Sequence, residues 1–222
     1  MGLTLNFQSV LPYWPDFLSG AALTLRLSLM AMLIGLAIAI PCAWARADGP
    51  AAVKRLIGVY VELIRNTPLL IQIYIVFFGL PALGVRFSAD NAALLALALN
   101  VGAYSTEIIR AGIQSIDRGQ IEAGRALGLA GSQIFRLIVL RPALKNIYPA
   151  LTSQFIILML YSSLVSVISA NDLSSVANHV QSVTFRSFEV YILVTALYFA
   201  LSSGLSAVFT LIYARFIDYP SR

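Results

Sequence analysis

Five long apolar runs constrain this chain more than anything else in it. They cover roughly residues 17–43, 56–80, 91–113, 147–169 and 188–214. A helix that crosses a bilayer needs about 20 mostly apolar residues, and each run reaches that length. Strand-type alternation is missing over these stretches, which sets a membrane β-barrel aside. Charged residues make up 11% of the chain, against about 25% in an ordinary soluble domain. So few charges cannot cover a soluble surface. A typical soluble enzyme, a disordered protein and a disulfide-stapled secreted domain are therefore excluded. The expected fold is an all-α integral membrane protein, a single domain over 1–222 with five transmembrane helices.

Basic residues set the expected orientation, because Lys and Arg gather on the cytoplasmic side. With the N-terminus outside, that side receives Arg46, Lys54, Arg55, Arg110, Arg118, Arg125, Arg136, Arg141, Lys145, Arg215 and Arg222. The outer side receives only Arg86 and Arg186. The bias fits a multi-pass protein of a bacterial cell inner membrane. No Lys or Arg precedes the first run, so it lacks the positive start of a signal peptide and reads as a retained helix.

Other residue counts narrow the chemistry. Cys42 is the single cysteine and His179 the single histidine, so neither a disulfide nor a His cluster is expected. Lys54 and Lys145 are the only lysines and neither follows a glycine, so there is no phosphate loop. The basic excess reads as topology, with no nucleic acid among the expected partners.

The connection at 114–146 differs from the rest. It is long, basic and expected in the cytoplasm. Ile121, Leu127, Leu129, Ile134, Phe135, Leu137 and Ile138 are interleaved with Glu122, Arg125, Gln133 and Arg136, a pattern for short amphipathic helices. Pattern alone allows a docking surface for a soluble partner or a helix lying on the headgroups.

Charges inside the runs need a partner or a purpose. Glu62 and Arg65 are three apart, as are Glu107 and Arg110, so each pair shares a helix face. The plainer reading is an ion-pair network tying the second and third spans together. The sharper one puts Arg65 or Glu107 on a substrate carboxylate or ammonium. Thr67 and Pro68 predict a kink at a possible gate. Tyr161, Ser162 and Ser163 bring polar groups to the uncharged fourth run. They are candidates for the substrate path, although small residues also serve helix packing.

The loop spacing is specific. Glu122, Ala123 and Gly124, then three residues, Gly128, nine residues and Ile138-Val139-Leu140 resemble the EAA loop of ABC importer permeases. Gly124 stands where that family usually has Ala, and Arg141 where it usually has Pro. The run ELIRNTPLLIQ at 62–72, FGLP at 78–81, GAY at 102–104 and RAGI at 110–113 resemble the polar-amino-acid branch, the histidine/glutamine/arginine/opine type. The resemblance covers roughly 17–215. One departure is MLYSSL at 159–164, where many relatives have L-K-[DN]-T-S-L. This puts a substrate rule based on those polar positions in doubt.

The resemblance implies a type I importer permease-like fold with a coupling-helix loop between the third and fourth spans. It implies import of a polar or charged amino acid, or an opine, driven by a separate ABC ATPase dimer that binds ATP and Mg. The coupling residues would be Glu122, Ala123, Gly124, Arg125, Leu127, Gly128 and Leu129. Glu122 is expected near the start of its helix, where the dipole favours an acid, with the apolar side chains of Leu127 and Leu129 in a cleft of the ATPase. A second permease subunit, identical or paralogous, and an extracytoplasmic binding protein complete the expected partners. The rival is a small proton-driven amino acid transporter using Glu62 and Glu107, which has no need of such a loop.

Overall fold

The computed structural model describes residues 5–218, so Arg222 lies outside the described residues. Within them the chain is helical with no strand. Nine α-helices follow one another: α1 Trp14–Asp48, α2 Ala51–Arg65, α3 Leu69–Tyr74, α4 Ala89–Gln114, α5 Arg118–Ala126, α6 Gly131–Ile134, α7 Leu140–Tyr161, α8 Leu173–Thr184 and α9 Ser187–Ile212. Four continuous helical stretches are long and apolar enough to cross a membrane: Phe7–Asp48, Ala89–Gln114, Gly131–Ile168 and Ser187–Ile217. They carry the first, third, fourth and fifth apolar runs.

The second run is not one straight helix. Ala51–Arg65 and Leu69–Leu83 meet at a bend of 108°. Pro68 causes the break, because it has no N–H to give to the Ile64 carbonyl and its ring disfavours helical backbone at Thr67. The predicted kink is present, and it is sharp. Beyond it the chain loosens into a π-turn at Ile75–Gly79 and a 3-10 turn at Leu80–Leu83.

Helix α4 is the centre of the bundle, packing against α1, α2, α3 and α7. Small buried side chains make this possible, among them Ala92, Ala93, Ala96, Gly102, Ala103 and Ser105. Against it α1 presents Gly35. A Cβ there would come within 3.1 Å of the Ala98 carbonyl oxygen and 3.2 Å of the Gly102 nitrogen. The two backbones therefore touch, which is how helices associate where lipid supplies no hydrophobic drive. The main apolar cluster joins Ala31 and Met32 of α1, Leu69 and Ile73 of α3, Leu97 and Val101 of α4 and Phe155 and Leu158 of α7.

The fourth run begins earlier than expected. Gly131 starts a helix that continues through a π-turn at Phe135–Val139 into α7. Pro142 lies just beyond that turn and cannot donate to the Ile138 carbonyl, which accounts for the slipped register. Residues 131–146 are thus helix, and the connection after α4 is shorter than the 114–146 expected from sequence.

A second cluster forms where α8 meets the N-terminal end of α1 and the start of α9, around Phe17, Leu173, Val180 and Val190. Asp172 caps α8 by accepting from the Ser175 N–H at 2.8 Å, and the Leu173 N–H donates to Thr24 Oγ1 at 3.0 Å. The side chain of Asp172 is wholly buried. Burial raises its carboxyl above the ordinary carboxylate value, against the hydrogen bonds that favour the anion.

Candidate functional site

Helix α5 and the turn after it hold the residues expected to couple. Asp117 caps α5, accepting from the Gly119 N–H at 2.6 Å. The helix then runs from Arg118 to Ala126. Glu122 is its fifth residue, so the expectation that Glu122 sits near the helix start is corrected. The acid at the positive end is Asp117, whose spacing before Arg118 was a readable cap signal.

The C-terminal end is a Schellman turn. Gly128 adopts φ +75°, its N–H donates to the Arg125 carbonyl at 2.9 Å, and the Leu129 N–H donates to the Gly124 carbonyl at 3.1 Å. The turn ends α5 and sends the chain into α6. Leu129 packs inward beside Ile116, Ile134, Val139 and Ala143. It is half-buried against that core, where the resemblance implied a cleft of the ATPase. Leu127 points out and is 80% exposed. Glu122, Ala123 and Arg125 are exposed with it, whereas Gly124 is buried. A methyl group on Gly124 would meet Ile138 Cδ1 at 2.6 Å. Glycine here lets α5 lie close on the following helix.

The candidate path residues fall into two groups. Arg65, Thr67 and Glu107 gather around the Pro68 elbow and the facing part of α4. The Arg65 guanidinium lies over the Tyr104 ring, 5.4 Å from its centroid. No ion pair joins Glu62 to Arg65 among the described residues. Arg65 is the last residue of α2 and turns toward Tyr104, which corrects that expected pair. Glu107 and Arg110 do pair, and Glu107 also accepts from Arg46 Nη1 of α1 at 2.7 Å. The network thus ties the first span to the third, and not the second to the third as expected. Arg46 had been counted only as a loop charge, and its 61-residue separation from Glu107 left no local signal.

Tyr161, Ser162 and Ser163 form the second group, where α7 tightens into a 3-10 turn at Ser162–Ile168. Ser162 is fully buried and donates to the Met159 carbonyl at 2.7 Å; Ser163 donates to Leu160 at 2.8 Å. Tyr161 is 49% exposed. The 3-10 turn packs against α3. Sequence reasoning missed Gln72 and Asn100, buried polar residues beside Thr67 of the first group. Each is an isolated amide in an apolar run, which was the available signal.

Among the described residues no group of His, Cys, Asp and Glu is arranged to hold a metal ion.

Known proteins similar to this chain share most of its length. The putative glutamine transport system permease protein GlnP of Rickettsia bellii is 34% identical over 95% of this chain and 99% of its own length. The arginine transport system permease protein ArtQ of Bacillus subtilis is 36% identical, over 90% of this chain and 91% of its own. The nopaline transport system permease protein NocM of Agrobacterium fabrum is 35% identical, over 87% and 85%. The crystal structure of an amino acid ABC transporter with histidines superposes with a TM-score of 0.89 at 40% identity, covering 96% of this chain and 100% of that one. The model of the binding-protein-dependent transport system inner membrane component family matches residues 31–218. The chain belongs to that family, and is a membrane-spanning transport permease subunit of an ABC importer, not an enzyme.

Proposed function

We propose that this chain forms the translocation path of an importer for a polar or charged amino acid or an opine. In this reading it crosses a bacterial inner membrane five times, the bent pair α2–α3 counting as one crossing, with the N-terminus outside. A separate ABC ATPase dimer holds ATP and Mg and docks on α5. An extracytoplasmic binding protein delivers substrate at the side of α8. The names of the glutamine, arginine and nopaline relatives support the substrate class.

The observation that carries the proposal is the α5 turn. It presents Glu122, Arg125 and the 80%-exposed Leu127 on a short capped helix, joined to the fourth apolar helix by the turn at Gly128 and by the half-buried Leu129. A push on α5 is therefore passed directly to α7. Helix α9 supports a second permease subunit, identical or paralogous. Few of its residues are buried, and Phe188, Phe199 and Leu211 are well exposed. Arg65, Thr67 and Glu107, with Tyr161, Ser162 and Ser163, are the proposed path residues.

The test is co-purification from detergent with a co-expressed ABC ATPase encoded alongside this chain. Wild type is expected to retain the ATPase, and Glu122→Lys and Gly128→Asp to lose it. Retention by both variants at normal expression would refute α5 as the docking element.

A further inference from the structure

Pro68 leaves the Ile64 carbonyl without the donor a continuing helix would supply. Gln72 takes that place: its Nε2 lies 2.7 Å from Ile64 O, 3.0 Å from Thr67 O and 3.0 Å from Thr67 Oγ1. The open Leu63 carbonyl is also met by a side chain, accepting from the Thr67 hydroxyl at 2.8 Å. Glu62 O accepts the Asn66 N–H at 3.0 Å and, in addition, Asn66 Nδ2 at 2.8 Å. The elbow is broken in its backbone and closed by its side chains.

Gln72 is in turn held from outside the elbow. Asn100 Nδ2 of α4 donates to Gln72 Oε1 at 2.9 Å, with both residues buried. The neighbouring stretch of α4 grips the other limb. The Tyr60 hydroxyl of α2 donates to Leu99 O at 2.7 Å, and Tyr104 stacks under Arg65. Both limbs of the bend are therefore fastened to residues 99–104 of α4. A fully satisfied buried polar network stiffens what it joins, whereas a joint that opens has few such contacts.

We propose that Gln72 and Asn100 are positioning residues that hold the α2–α3 elbow as a fixed bend on α4, so that α2, α3 and α4 move as one body in the transport cycle. This rests on the permease reading for the word transport, but the geometry does not. It assigns Thr67 first to closing the elbow, and it moves any gate away from Pro68.

The test uses the full permease with its ATPase in a Cys42→Ser background. Spin labels go on Val59→Cys of α2 and Leu83→Cys beyond α3, both exposed, and the distance distribution is read by pulsed electron paramagnetic resonance. The expected result is one narrow distribution, unchanged between the nucleotide-free and ATP-trapped complexes. Gln72→Met keeps length without hydrogen bonds and is expected to broaden and shift it, and Asn100→Ser to broaden it less. A nucleotide-dependent shift in the otherwise wild-type protein would overturn the proposal, and so would a Gln72→Met distribution as narrow as its parent. The first comparison needs no destabilising variant. If no ATPase binds, the permease reading fails, while the Gln72→Met and Asn100→Ser comparisons on the permease alone still decide the elbow.

Discussion

Gly128 shows how much one residue decides. Its φ of +75° costs an L residue roughly 1 to 2 kcal/mol. Gly128→Asp is therefore expected to lower the stability of the permease by about that amount while abolishing ATP-driven uptake, measured side by side in detergent and in vesicles. The resemblance picked out Gly128 and glycine permits a turn, but that the helix stops just before it was not legible in the sequence. Leu127 and Leu129 were not separable there either. Both are leucine, and only the turn sends one outward and the other into the core. Gly124→Ala is expected to be tolerated, since its nearest obstacle is the mobile end of Ile138; the check is unchanged uptake. Asp172 gives a pH signature. Its carboxyl is raised in the folded state, so the folded chain holds a proton that the unfolded chain releases first. That contribution is present below the ordinary value of 3.8 and is lost as pH rises through the raised folded value. Asp172→Asn keeps an oxygen for the cap and cannot ionise. Its unfolding temperature relative to wild type is expected to climb as pH rises from acid to neutral.

At the scale of elements, length and hydropathy made four of the five runs legible, since both are properties of consecutive residues. The second run was legible only in part. Pro68 announced a break, but the angle of 108° depends on where α4 holds the two limbs, and Asn100 is 28 residues from Gln72. The tie between Arg46 and Glu107 was hidden for the same reason. Short amphipathic helices were expected in the connection, but the continuity of the helix from Gly131 into the fourth span was hidden because Arg136, Arg141 and Lys145 interrupt the apolar run. Contact between α1 and α4 yields the sharpest expectation. Gly35→Val drives a branched side chain against backbone atoms of α4 that cannot yield. Overpacking costs typically about 1 to 3 kcal/mol even where side chains can shift, so loss of folded protein is expected in a detergent stability assay. Glu107→Gln leaves Arg46 and Arg110 facing an uncharged amide in a partly buried site. A stability loss of about 1 to 3 kcal/mol is expected, measured by thermal unfolding.

For the whole molecule, the scarcity of charge carries most of the meaning. Among the described residues several of the charges that remain lie near helix ends or in the Arg46–Glu107–Arg110 network, and α5 carries the exposed Arg118, Glu122 and Arg125. A single bundle of this kind has a central α4 and an outlying α9, and its interior is filled by side chains. In the proposed reading a facing subunit encloses the path and an ATPase drives it. The direct measurement of that account is amino acid uptake into vesicles holding this permease with an ABC ATPase that co-purifies with it. The binding protein is supplied outside and ATP inside, and the proton gradient is collapsed by an uncoupler. The account predicts uptake that persists with the uncoupler, requires both ATP and the binding protein, and disappears in Gly128→Asp. Uptake that follows the proton gradient and proceeds without ATP would contradict it.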